Sequence, residues 1–121
     1  MYKKMDTKVI EVIEKEALVC LNIAARDLGI LKQIKDACDN VEDADCALCC
    51  FRSNMIDTFW SEYRKISSND IELKFTSAII YTVKEIARDY EIDVSSRIAR
   101  ATNNALEAHT IIDSTAKKQV K

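Results

Sequence analysis

An all-α fold, a compact bundle of four long helices plus one short helix, is what this 121-residue sequence predicts. Three observations carry the prediction. The first is punctuation. The chain has Pro 0 and Gly 1, whereas folds built from strands and tight turns draw on both residues repeatedly. The second is spacing. Apolar residues recur three and four positions apart over most of the chain, the period of a helix with one buried side. The third is the placement of the polar breaks. "DN" at 39–40, "SSND" at 67–70 and "EIDV" at 91–94 cut the pattern into helix-length pieces.

The first piece starts behind Asp6, a residue type suited to capping a helix N-terminus. Val9, Ile10, Val12, Ile13, Ala17, Leu18, Cys20, Leu21, Ala24 and Leu28 follow at helical spacing. From Ala17 to Ala25 only Asn22 is polar. A helix apolar on nearly every side is expected to be buried on nearly every side, and Asn22 then needs a partner there. Gly29 is the natural terminator, because glycine takes the left-handed conformation without a Cβ penalty.

Ile30, Leu31, Ile34, Ala37 and Cys38 predict a short second helix. Asn40 caps the third, long helix, which the pattern from Ala44 through Leu48, Phe51, Met55, Phe59 and Tyr63 carries from about Val41 to Ile66. Asn69, with Glu72 three residues later, has the spacing of a capping box before the fourth helix. Its apolar face is Ile71, Phe75, Ala78, Ile79, Val83, Ile86, Ala87 and Tyr90. Asp93 is the expected cap of the fifth helix. Val94, Ile98, Ala101, Ala105, Ala108 and Ile112 line its face, and the alanines allow close approach of another helix, within the bundle or across a dimer. The chain is expected to form one domain over 1–121, with a disordered basic tail from about 115 to 121. It shows no internal repeat and no low-complexity tract.

Composition narrows the function classes. A net charge of -2 argues against a generic nucleic-acid binder. No apolar run is long enough to span a bilayer. Acids inside the apolar part of the N-terminal segment do not fit a secretory signal. Five cysteines, an odd number, then read as reduced thiols in a cytoplasmic protein. Gly-rich phosphate loops and serine elbows need glycines that this chain lacks.

Three constellations remain. Cys46, Cys49 and Cys50 share one side of the long helix, among Ala47, Leu48 and Phe51. Free cysteine behaves as a small hydrophobe, so core packing is their expected role. A thiol-ligated metal or redox module is the alternative. A Cys–His pair would need His109, the only histidine. Trp60 and Tyr63, near the edge of the aromatic stripe, are the candidate anchors for a protein partner. Finally, Glu11 and Glu14 form one acidic pair and Glu42 and Asp45 another, each spaced to put both carboxylates on one helical side. Two such pairs facing each other would hold Mg²⁺, although acids in a first turn also suit the helix dipole unaided.

The E-x-x-E pair followed by an E-x-x-D pair resembles the MazG-type all-α nucleoside triphosphate pyrophosphohydrolases. The resemblance implies Mg²⁺ on Glu11, Glu14, Glu42 and Asp45, with Arg100 and Asn104 as nucleotide contacts. "YEIDV" at 90–94 is similar to the family's joint before its last helix. This chain departs from the family in having almost no sequence before the first pair, and "EVIEKEA" where the family doubles its acids. The first expectation from the residues themselves is a non-catalytic bundle without a cofactor. It would act by protein–protein interaction or self-association, as a homodimer, with no membrane and no nucleic-acid partner.

Overall fold

A computed structural model of the chain describes residues 7–94 and 98–119, with only the backbone given for 98–99 and 116–119. The described residues form an all-α bundle of five helices with no strand. They are α1 (Thr7–Asp27), α2 (Ile30–Asp36), α3 (Val41–Lys65), α4 (Ile71–Asp89) and α5 (Ile98–Gln119). The expected capping role of Asp6 lies outside the described residues. So does the segment 95–97 that separates Asp93 from α5. The helix α5 continues to Gln119, past the point where the sequence pattern predicts a disordered tail.

Each junction has a local cause. Gly29 adopts φ 79°, and its N–H donates to the carbonyl of Arg26. That left-handed turn ends α1 and lets α2 begin at once. The side chain of Asn40 accepts from the Asp43 N–H at 2.8 Å, and its amide donates back to the Asp43 carboxylate at 3.1 Å. Asp70, not Asn69, caps α4: its carboxylate accepts from the Glu72 and Leu73 N–H groups at 3.0 and 3.4 Å. The cap is therefore shifted by one residue and the predicted capping box does not form: a carboxylate directly before Ile71 reaches both free donors, and the Asp70 N–H donates to Ser68 instead. At the far end of α4, Glu91 sits at φ 57°. Its N–H donates to Arg88, and the N–H of Ile92 reaches back to Ala87 at 2.8 Å. This is the Schellman pattern, with a glutamate where glycine is the usual residue.

Packing follows the predicted stripes. α5 lies on α4 and α1, α3 lies on α4 and α1, and α2 bridges α1 and α3. Ile13, Leu21, Phe59, Phe75, Ile79 and Ile112 are fully buried at the centre. Phe59 is the hub of an aromatic cluster, with ring centroids 5.7 Å from Phe75, 5.1 Å from Trp60 and 5.7 Å from Tyr63. The alanine stripe Ala101, Ala105 and Ala108 is buried inside the bundle. Of the two seams that the stripe allowed, it forms the intramolecular one. No helix among the described residues is long and apolar enough to cross a membrane.

Candidate functional site

The two acidic pairs stand on different parts of the bundle. Glu11 and Glu14 are exposed on α1. The Glu14 carboxylate accepts from the indole N–H of Trp60 at 3.0 Å, which puts Glu14 level with the C-terminal third of α3. Glu42 and Asp45 are exposed at the opposite end of that helix. Asp45 precedes Trp60 by 15 residues, about 22 Å at the helical rise of 1.5 Å per residue. The structure therefore does not bring the four carboxylates together. Among the described residues, no three His, Cys, Asp or Glu donors converge as a metal ion requires.

Arg100 and Asn104 do come together. With Asp27 they form the polar wall of a cleft of about 350 Å³ between α1, α4 and α5, floored by Ala24, Leu28, Val83 and Ala101. The Arg100 guanidinium lies 3.3 Å from the Asp27 carboxylate. Exposed ion pairs of this kind contribute at most about 1 kcal/mol. The cleft is 13 residues along α1 from Glu14, about 20 Å away. The arginine and asparagine singled out by sequence thus share a site, but the acids singled out with them do not.

The anchor candidates are largely spent inside the protein. Tyr63 is buried, packed on Phe59 and Trp60, with the Lys74 ammonium 4.5 Å from its ring centre. Tyr63 thus lies within the stripe and not near its edge: position 63 continues the line of Met55 and Phe59. Trp60 is half-buried, and its N–H is already taken by Glu14.

The cysteines divide into two kinds, which corrects a second expectation. Cys46, Cys49 and Cys50 are exposed, not core. The buried line of α3 runs through Leu48, Met55, Phe59 and Tyr63, and positions 46, 49 and 50 fall outside its three-to-four spacing. Cys38 is half-buried, its thiol donating to the Ile34 carbonyl at 3.2 Å. Cys20 is the core thiol. It is 4% exposed and faces the Asn104 carbonyl at 3.6 Å. Burial, together with Glu16 and Glu107, pushes its pKa up to about 11. It is a packing group, not a nucleophile.

Comparison of this chain with protein-family models, with curated proteins and with solved structures gives no match.

Sequence reasoning passed over one surface. Val19 is 47% exposed in the middle of the apolar stretch of α1. Val12 and Ile23, seven residues before it and four after it, are half-buried, and Ile23 makes no part of the core. The neighbouring rim of α5 carries Ile111, 52% exposed. Glu16 and Glu107 both act on Cys20, so Val19, three positions after Glu16, and Ile111, four after Glu107, stand on the two helices that meet at Cys20. Asn22 does not find the partner that its place in α1 calls for. Its side-chain oxygen is buried without one among the described residues, as is Nε of Arg52.

Proposed function

We propose that the chain works by association through the outer face of α1 and the adjoining rim of α5, with a second copy of itself as the partner. The observation that carries this reading is the apolar line of α1 in which Val19 stands exposed between the half-buried Val12 and Ile23, with Ile111 exposed on α5. A helix this apolar normally spends all its sides on the core. Covering each of these half-exposed side chains contributes about 1 kcal/mol, and a twofold contact doubles the number covered.

The borders of the line support a second copy. Lys15 and Arg26 flank Val19 on one side of α1, and Glu16 lies on the other with Glu107 of α5 beyond it. Two α1 helices packed parallel about a twofold axis set the basic border of one against the acidic border of the other. Antiparallel packing would set like against like. Cysteine crosslinking tests this. In a Cys46→Ser/Cys49→Ser/Cys50→Ser background, Val19→Cys and Ile23→Cys are each expected to form an interchain disulfide on mild oxidation. If neither crosslinks, the face is not an interface; if only one does, the packing is not parallel.

A second reading, binding of a nucleotide phosphate, is supported by one placement: Arg100 and Asn104 line the same cleft. Asp27 opposes it, since it already neutralises Arg100. The separated acids give no support to Mg²⁺ chemistry in that cleft. Calorimetric titration with Mg²⁺ and a nucleotide panel decides it. Absence of binding, or the same response in Glu42→Ala, removes the pyrophosphohydrolase reading.

A further inference from the structure

A second cleft, of about 290 Å³, opens between the middle of α3 and the C-terminal end of α4. No residue of α1 or α5 lines it, so association through those helices does not use it. Met55 and Ile86 form its buried floor; the half-buried rings of Phe51 and Tyr90 and the exposed Asn54 and Asp89 line its sides. The two rings stand at 87° to each other, with centroids 6.2 Å apart. Two observations point to a cation here. The first is Asp89, the last residue of α4. A carboxylate at a helix C-terminus adds to the negative end of the dipole, where stability alone favours a base. Among the described residues Asp89 makes no ion pair, and Arg88 beside it is taken by Glu85. The second is the rings. The chain covers two other tyrosines with its own ammonium groups, Lys74 over Tyr63 and Lys84 over Tyr81. No described cation stands over Phe51 or Tyr90.

We propose that this cleft binds an alkylated ammonium group, the head of a choline-class amine or of a methylated lysine side chain. A metal ion does not fit: no second carboxylate lines the cleft opposite Asp89, and hard cations need several oxygen ligands. An alkylated ammonium needs none. It carries its charge on an apolar surface, so it gains from the negative faces of aromatic rings and from contact with hydrocarbon together. Phe51 and Tyr90 supply the rings, Met55 and Ile86 the apolar floor, and Asp89 the counter-charge. The negative end of the α4 dipole acts in the same direction as Asp89. Asn54, at the rim, is placed to hydrogen-bond the substituent that leads out of the cleft. The volume is near the lower end of the range of about 300–1,000 Å³ for small-molecule pockets, room for a head group and the start of its chain.

Titration of isotope-labelled protein with choline, followed by amide NMR shifts, tests the site. Saturable shifts are expected at Phe51, Asn54, Asp89 and Tyr90. The neutral isostere of choline, with carbon in place of nitrogen, should bind more weakly by about 10-fold, the sum of two ring contacts and one exposed ion pair. Asp89→Asn should weaken choline by up to about 5-fold and leave the isostere unchanged. Asp89 is exposed and outside the core, so this variant is expected to fold as wild type does. Val19→Glu should bind choline as wild type does, which separates this site from the α1 interface. A short peptide carrying trimethyl-lysine is the second probe. Tighter binding than choline assigns the head group to a side chain, and weaker binding assigns it to a free amine. Absence of saturable shifts at these four residues with either probe, equal affinity for choline and its isostere, or an unchanged choline affinity in Asp89→Asn overturns the proposal.

Discussion

Raising the pH above 9 ionises Cys20 in the unfolded chain before it does so in the folded one. The folded protein holds this thiol among α1 and α5 side chains at 4% exposure, and burial first, then Glu16 and Glu107, moves its pKa from 9.0 to about 11. Between those two values the folded state binds more protons than the unfolded state, so stability falls as pH rises. Below pH 9 the thiol is neutral in both states and contributes no slope. A separation of two pH units corresponds to about 2.7 kcal/mol when complete, of which about 2 kcal/mol is lost by pH ~11. Tyrosines and lysines titrate over the same range, so the effect is a difference between two curves. Urea unfolding of wild type and Cys20→Ala, followed from pH ~8 to pH ~11, isolates it. The two stability curves should converge by about 2 kcal/mol across that window, with the wild type losing more. Curves that stay parallel would mean that Cys20 is not a buried neutral thiol facing two carboxylates.

Three further outcomes are expected. A thiol reagent should modify Cys46, Cys49 and Cys50 at once in the folded protein and reach Cys20 only on unfolding; rapid labelling of four or more thiols including Cys20, detected by peptide mass, would contradict the assigned burial. Gly29→Ala and Glu91→Gly should shift stability in opposite directions, each by about 1 kcal/mol. Both positions have positive φ, and a Cβ at Gly29 would meet nothing within 4 Å, so backbone strain alone sets the size; thermal melting reads both. Asp70→Ala should cost about 1 kcal/mol as the loss of a helix cap, while Asn69→Ala costs little, and the reverse order would restore the box predicted at Asn69.

Much of the fold was legible because helices announce themselves locally. The buried residues of α4, from Phe75 through Ile79 and Val83 to Ala87, are the ones its spacing predicts except for Thr82, whose hydroxyl donates to the Ala78 carbonyl, and Gly29 ends α1 as its position implies. The errors arose where a local signal had to stand for a tertiary one. Cys46, Cys49 and Cys50 looked like core by residue type. The phase set by Leu48, Met55 and Phe59 already placed them outside, and phase outweighs type on a helix of 25 residues. Tyr63 looked like an edge residue, although it extends that same phase. The continuous apolar stretch of α1 implied burial all round. Around a bundle, however, a helix meets only a few neighbours, and Val19 falls in a gap between them. The acidic pairs failed for another reason. Whether Glu14 meets Asp45 or Trp60 depends on how far α3 slides along α1, and the turns on either side of α2 decide that offset. No spacing within either helix encodes it.

The most direct test of the association reading is the mass of the chain in solution, measured by light scattering behind size exclusion over a range of concentrations. The wild-type chain is expected to run as a dimer. Val19→Glu, which places a carboxylate in the middle of the apolar line without touching the core, is expected to run as a folded monomer. A wild-type chain that remains monomeric at the highest concentration, or a Val19→Glu variant that remains dimeric, would contradict the reading.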